Sequence, residues 1–229
     1  RDEVMLTSMG DQVLQIAQPD GGYEAAPYGI GTYAQRPYTG GDGRPSTGWH
    51  AEFGDINNDT RADLFITKGN VDQMPGLATK DPNNLLMQGL DGRFQERGLE
   101  AGIASTKRSR GGGLADFDGD GRLDLIVINR RSPAELYRNV TAQVGHWVQI
   151  DLAQRGGNRH AIGAMVEVNI GAKVQTLQKL MGGGHAGGQA LPLHVGLGDA
   201  KQALVRVTWP DGSQSEITVI AGAINRITK

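Results

Sequence analysis

Phe53-Gly54-Asp55-Ile56-Asn57-Asn58-Asp59-Thr60-Arg61-Ala62-Asp63-Leu64-Phe65-Ile66 returns without a gap, 61 residues later, as Leu114-Ala115-Asp116-Phe117-Asp118-Gly119-Asp120-Gly121-Arg122-Leu123-Asp124-Leu125-Ile126-Val127. Each copy is an acidic loop that feeds an apolar, β-branched run, the pattern of a buried strand. A second element recurs as Glu3-Val4-Met5-Leu6, Asn84-Leu85-Leu86-Met87 and Glu135-Leu136-Tyr137-Arg138. Its first two copies run on into Gly10-Asp11 and Asp91-Gly92 and then another short strand. Units of about 50 to 80 residues with several short strands have too few strands to bury their own faces, which points to propeller blades or a related all-β array. At most two blades and a piece of a third are present, and a closed propeller takes about four to eight. The expectation is the C-terminal part of a larger propeller, completed by further blades or chains. The sequence opens at Arg1 with no charged-then-apolar leader, so a signal peptide is expected to have been removed or to lie outside it.

The loops carry the chemistry. Side-chain oxygens fall on Asp55, Asn57, Asp59 and Asp63 in loop one, and on Asp116, Asp118, Asp120 and Asp124 in loop two, at positions 1, 3, 5 and 9 of each. A hard cation such as Ca²⁺ takes six to eight oxygens at about 2.3–2.6 Å; four side chains, the carbonyl at position 7 (Arg61 or Arg122) and a water meet that demand. Zinc would call for His or Cys, which the loops lack. An EF-hand opens in the same way but needs a bidentate Glu at position 12, where this chain has Ile66 and Val127 within strand sequence. Two Ca²⁺ sites are therefore predicted. The alternative is a pair of solvated Asp-rich turns, held by Asx geometry and Gly.

Composition narrows the function. The 229 residues carry a formal net charge of −2, too balanced for a polybasic nucleic-acid or membrane-surface binder. The 35 Gly imply many turns and close backbone approaches, and the absence of Cys removes disulfides and thiolate chemistry. The longest apolar run, Leu125-Ile126-Val127-Ile128, falls far short of the roughly 20 residues of a membrane helix.

With these residues in view, Phe53-Gly54-Asp55 through Leu64 and Ala115-Asp116 through Leu125 resemble the FG-GAP or VCBS calcium-loop repeats of integrin-α-type propellers and many exported bacterial proteins. Loop one departs from that pattern: Asn57 and Asn58-Asp59-Thr60 replace the Asp-Gly-Asp-Gly of loop two. It has one fewer negative charge and no Gly at position 6, so weaker calcium binding is expected there.

After Asn139 the texture changes. The runs 147–152, 165–170 and 204–209 alternate with partial period 2 and read as half-buried antiparallel strands. Trp209-Pro210-Asp211-Gly212-Ser213 is a turn that returns the chain into Glu216-Ile217-Thr218-Val219-Ile220. A compact β-sandwich is predicted. This half resembles the ASPIC/UnbV domain of the cartilage-acidic-protein-like family through Asn158-Arg159-His160-Ala161-Ile162-Gly163-Ala164, Gly182-Gly183-Gly184 with Gln189, Leu193-His194-Val195-Gly196-Leu197-Gly198 and Val207-Thr208-Trp209-Pro210-Asp211-Gly212. It departs at Gly184-His185-Ala186-Gly187-Gly188, where that family more often has Ser and an aromatic. The resemblance implies calcium binding, secretion, and matrix or surface association.

No catalytic constellation is found. His50, His146, His160, His185 and His194 form no H-E-x-x-H pair, and no G-x-S-x-G elbow exists. Calcium ligation already accounts for the paired Asp residues that a glycosidase would need. His185, in the glycine run Gly182–Gly188, is the one histidine placed to touch a ligand; alternatively those glycines permit close strand crossing. Lys107-Arg108-Ser109-Arg110 is a short basic patch beside loop two, read as a solvated connection rather than an anion site, with a salt link to the loop's carboxylates as a third option.

The fold class expected is all-β: partial propeller blades with inter-strand calcium loops over residues 1–143, then a small sandwich over 144–229. The function expected is that of a non-enzymatic, exported calcium-binding protein, extracellular, periplasmic or on the cell surface. Its loops would bind a protein or polysaccharide partner, with no nucleic acid and no membrane span. Two alternatives stay open: the scaffold of a polysaccharide- or lipid-acting enzyme whose catalytic region lies elsewhere, and a structural subunit of a larger extracellular complex.

Overall fold

The computed structural model describes residues 3–33, 44–72, 74–185, 187–188 and 192–229. Ala186 and Gln189, both in the glycine-rich motif, lie outside the described residues. Among those described the chain is all-β, with no α-helix and one 3-10 turn at Tyr28–Ile30. No sheet closes on itself into a barrel.

Four short strands open the chain, β1 (Val4–Leu6), β2 (Met9–Gly10), β3 (Val13–Ala17) and β4 (Tyr23–Ala25). They are followed by β5 (Ser46–Gly54), β6 (Asp63–Lys68), β7 (Asn84–Gln88) and β8 (Phe94–Glu96). One sheet has the order β1-β3-β4 and a second β2-β5-β6-β7-β8. A third, β11-β10-β9, is built from β9 (Ser109–Ala115), β10 (Asp124–Asn129) and β11 (Glu135–Tyr137). The sequence repeat is a structural one. Loop one is closed by the pairs Gly54↔Asp63 and Phe53↔Leu64, and loop two by the matching Ala115↔Asp124 and Leu114↔Leu125.

β6 is buried along its whole length, which is why its sequence is an unbroken run rather than an alternation. Leu64 and Ile66 pack with Leu14, Ala26, Leu86 and Phe94 on one face. Phe65 packs with Leu85, Leu114, Leu125 and Val127 on the other. β6 thereby joins the first sheet to the third.

The C-terminal part comprises β12 (His146–Ala153), β13 (Met165–Ile170), β14 (Lys173–Gln178), β15 (Leu193–Gly198), β16 (Gln202–Thr208), β17 (Gln214–Ile220) and β18 (Ala223–Thr228). Two sheets, β15-β12-β18 and β14-β13-β16-β17, sandwich one core. Every second residue points inward, as period 2 requires: Val148, Ile150 and Leu152; Val166, Val168 and Ile170; Val205 and Val207. The turn at 209–213 forms as read, with the Gly212 amide donating to the Trp209 carbonyl at 2.8 Å and Gly212 at φ +84°. One pairing departs from the antiparallel expectation: β18 runs parallel to β12, from Val148↔Ala223 to Ala153↔Thr228. A parallel neighbour needs a long crossover, and here the whole of β13–β17 supplies it.

Trp209 is 2% exposed in this core, and its Nε1 donates to Ser215 Oγ at 2.8 Å. Trp209→Ala is expected to remove about 3–5 kcal/mol of stability, read as a fall in the urea midpoint at constant slope.

Candidate metal centre

Both loops are shaped by their own carboxylates, and the same bonds recur at equivalent positions. Asp55 accepts the amides of Asp59 and Thr60 at 2.9 and 2.7 Å. Asp116 likewise accepts those of Asp120 and Gly121, both at 3.0 Å. Asp63 takes the amides of Ile56 and Gln88, and Asp124 those of Phe117 and Asn139. Asp59 and Asp120 each accept the amide two residues on at 3.0 Å, and each is also paired with the guanidinium of that residue, Arg61 or Arg122. Positions 1, 5 and 9 thus all help to fix the backbone.

In loop two, Asp116, Asp118 and Asp120 bring one carboxylate oxygen each to within 4.8 Å of one another. Arg138 offsets their charge from outside, its Nε 2.6 Å from Asp118 and its Nη2 3.3 Å from Asp120. In loop one the Asn57 Oδ1 is buried and has no hydrogen-bond partner, while its Nδ2 donates to Asp59. Burial pushes the Asp55 carboxyl up to about 7 and that of Asp63 up to about 6; backbone amides counter the shift and neighbouring carboxylates add to it. An orphaned acceptor among crowded, desolvated carboxylates fits an oxygen-seeking cation. The residues that would hold it are those the spacing indicated: Asp55, Asn57, Asp59, Asp63 and the Arg61 carbonyl in loop one, and Asp116, Asp118, Asp120, Asp124 and the Arg122 carbonyl in loop two. The Arg61 and Arg122 side chains have a part the sequence reading gave only to their carbonyls, as internal counter-charges.

What that reading missed is where the loops point. Both tips are seated on the C-terminal sandwich. Asn58, 0% exposed and at φ +57°, donates from Nδ2 to the Gly121 carbonyl of loop two at 2.9 Å. Its Oδ1 lies 2.8 Å from His194 Nε2 on β15. The carbonyls of Asn57 and Asn58 accept the amides of Gly145 and Gly198. Gly196 makes this crossing possible: a Cβ there would lie 2.0 Å from Asp55 Oδ2 and 2.6 Å from the Asn58 Cα. Loop two is held by Gln149, whose Nε2 donates to Asp116 at 3.0 Å. Asn139 spans the two loops, its Nδ2 donating to the carbonyls of Ile56 and Leu123. The available signal was Asn58 itself, standing where loop two has Gly119 at φ +76°; Asn is the non-glycine residue that best tolerates that conformation.

The place of the basic patch beside loop two, and its salt link to that loop's carboxylates, are corrected. Lys107–Arg110 sits at the start of β9 and loop two follows its far end, so Arg108 pairs with Asp72 at 2.8 Å and not with the acidic loops. The glycine run crosses β5 closely, since a Cβ on Gly184 would lie 1.9 Å from His50 Nδ1. His185, exposed in that run, packs on Trp49 with ring centroids 4.9 Å apart.

The sandwich that receives the loops has relatives. Residues 154–226 match the ASPIC and UnbV family model. The chain is 28% identical over 177 residues to human cartilage acidic protein 1, covering 76% of this chain and 26% of that protein. It is 32% identical over 135 residues to the Xenopus tropicalis protein of that name (56% and 21%), and 27% identical over 177 residues to the mouse protein (76% and 27%). The chain therefore spans about a quarter of the length of the curated relatives it matches. In a chain of this length, an alignment covering 76% necessarily includes loop two, so the likeness extends well ahead of the ASPIC and UnbV segment.

Two outcomes test the seat. Asn58→Gly keeps the left-handed backbone at ease but leaves His194 Nε2 and the Gly121 carbonyl unpartnered, so a loss of about 2–4 kcal/mol by chemical denaturation is expected. The second concerns acid. Since Asn58 Nδ2 is the donor to Gly121, its Oδ1 must accept, and His194 Nε2 carries the proton; Nδ1 is buried and unpartnered. Desolvation holds the imidazole down at about 4. A histidine depressed on folding contributes stability that is present above its ordinary value of 6.5 and lost as pH falls toward 4. Taken alone this group therefore costs up to about 3 kcal/mol across that window, opposed by the raised Asp55 and Asp63 carboxyls, so His194→Gln should hold its stability better than wild type as pH falls from 6.5 to 4 in pH-dependent unfolding.

Proposed function

We propose that this is a non-enzymatic, exported protein in which the two acidic loops each hold Ca²⁺, stapling a blade-like β-body to its C-terminal sandwich, and that it associates with a cell surface or extracellular matrix. The observation that carries this reading is the buried, unpartnered Asn57 Oδ1 beside Asp55, Asp59 and Asp63 in a loop whose tip is the inter-domain seat. A divalent cation supplies positive charge and takes oxygen lone pairs, relieving the desolvated carboxylates on either side. The hairpin meanders, with their equivalent loop registers, support the propeller-blade reading of residues 1–143. The relatives carry cartilage in their name, which supports a place outside the cell. An enzyme scaffold and a structural subunit remain the alternatives; no nucleophile with an adjacent base stands out among the described residues.

A competing reading makes the loops self-sufficient turns, because backbone amides already occupy Asp55 and Asp116, and Arg61, Arg122 and Arg138 already offset the charge. Chelation separates the two. A site with Kd near 10⁻⁵ M in millimolar calcium stabilises by about 2.7 kcal/mol, so EGTA should lower the melting temperature by several degrees; an unchanged Tm supports the self-sufficient turns. Loop two, with four carboxylates, should fill at lower calcium than loop one. Calorimetry on Asp120→Ala should therefore remove the tighter event and Asp59→Ala the weaker, and the reverse order would contradict the assignment.

A further inference from the structure

We infer that Arg108, Arg110, Arg130 and Arg131 form a binding site for the sulfate groups of an anionic polysaccharide, at the end of the β-body opposite the acidic loops. The chain as a whole is slightly acidic, with a net charge of −2, so a local excess of positive charge calls for an explanation. Three segments far apart in sequence converge here. Asp72 follows β6, Arg108 and Arg110 open β9, and Arg130 and Arg131 follow β10. The one carboxylate is shared: Asp72 Oδ1 lies 2.8 Å from Arg108 Nη1, and Oδ2 lies 2.6 Å from Arg130 Nη1. Arg131 is exposed and pairs with no carboxylate within 4 Å among the described residues. Among the described residues Arg110 bonds backbone carbonyls and no carboxylate, from Nη1 to Gly69 and Ser109 and from Nη2 to Asn70. Four guanidiniums around Asp72 leave a net excess of three positive charges, and two of the four, Arg110 and Arg131, pair with no carboxylate among the described residues.

The arrangement is built rather than loose. Arg110 anchors the segment that carries Asp72, and the Arg130 amide donates to the Arg108 carbonyl at 3.0 Å, tying the two arginine-bearing segments together. Asp72 at φ +40° and Arg131 at φ +57° are two of the non-glycine residues held at positive φ. Such strain is kept only where surrounding structure imposes it, and it gathers at working sites. Burial first, and then repulsion from Arg130 and Arg108, lower the affinity of Arg110 for its proton, with Asp72 opposing. Arg108 and Asp72 keep 46% and 43% of their side-chain surface in water, so the patch is open.

The chemistry of the ligand follows from the donors. Guanidinium forks match tetrahedral oxyanions in geometry and keep their charge at every accessible pH. A nucleic-acid duplex needs an extended basic stripe, and this patch is confined to one cluster of turns on an acidic chain. Arg110 lies 4.1 Å over the Trp49 ring, and Trp49 packs on the exposed His185, so aromatic surface flanks the charges. Compact anionic groups on a sugar chain suit that combination. The acidic loops cannot serve as counter-charges, since the seven-residue strand β9 sets them about 20 Å away, beyond the screening length of about 8 Å. The site names a ligand class for surface association and rests on that reading for where the ligand is met; it does not depend on the cation loops.

The test uses the full chain at low ionic strength, with heparin as the probe, inorganic sulfate and unsulfated polygalacturonate as comparison arms, and each titration run in calcium and in EGTA. Wild type should bind heparin in both, inorganic sulfate more weakly and polygalacturonate least. Arg130→Ala/Arg131→Ala should weaken heparin binding about ten-fold, and the exposed Arg131→Ala alone about three-fold, with near-UV circular dichroism unchanged. Asp72→Asn, which removes the competing carboxylate, should strengthen it several-fold, a response that a merely structural ion network would not give. Arg206→Ala, on the outer face of the sandwich, should leave it unchanged. No binding of heparin by folded wild type, equal binding of polygalacturonate, or a weakening in Asp72→Asn to match the double variant would overturn the site. A calcium-dependent Tm shift that persists alongside any of these leaves the staple standing, so the two failures are distinguishable.

Discussion

One buried amide bonds both acidic loop two and the C-terminal sandwich from loop one. Asn58, held in the left-handed region, sends Nδ2 across to the Gly121 carbonyl and offers Oδ1 to His194. Everything around it is arranged to permit that placement. The hairpin register brings both loops to the same end of their sheets, Asp55 and Asp116 wind each loop onto its own amides, and Gly196 lets β15 approach the loop backbone. Because unpaired buried polar groups each cost about 1–3 kcal/mol, a change in loop shape is felt at once by the sandwich. The acidic loops are therefore joints as well as candidate ion sites.

The antiparallel meander also sorts charge. A hairpin sends successive connections to opposite ends of the sheet, so the loops after β5 and β9 share one end while the segments after β6 and β10 share the other. Carboxylates outnumber guanidiniums in the acidic loops at the first, and guanidiniums outnumber the carboxylate they share at the second. A net charge near zero conceals this, because composition sums over the separation that topology creates. Each end then behaves as its own electrostatic environment, since the strands between exceed the screening length.

Local signals were legible and distant ones were not. The 61-residue repeat located both loops and the strands that follow them, because turn chemistry is local. Alternation located β12, β13, β16 and β17, and Pro-Asp-Gly located the turn between the last two. The parallel pairing of β18 with β12 had no local mark, since its crossover spans most of the sandwich. The basic run at Lys107–Arg110 was misassigned for a related reason: proximity along the chain placed it beside loop two, whereas a strand carries it to the other end. Asn58 and His194 are 136 residues apart, and only the fold makes them one site.

The two loops make equivalent backbone bonds yet differ in what holds their shape. Loop two has Gly119 and Gly121 at φ +76° and +85°, conformations a glycine adopts freely, so its winding is an intrinsic property of its sequence. Loop one has Asn58 and Thr60 at φ +57° and +74°, and for a β-branched residue that conformation costs on the order of 1–3 kcal/mol. The strain is offset by contacts from the sandwich: Lys173 Nζ reaches Thr60 Oγ1 at 2.6 Å, Gln175 Nε2 reaches its carbonyl at 3.3 Å, and Gly198 takes the Asn58 carbonyl. Loop one is consequently shaped from outside, and loop two from within. The order of loop one is conditional on docking, so any group that prefers its wound form must also favour the docked sandwich, as linkage requires.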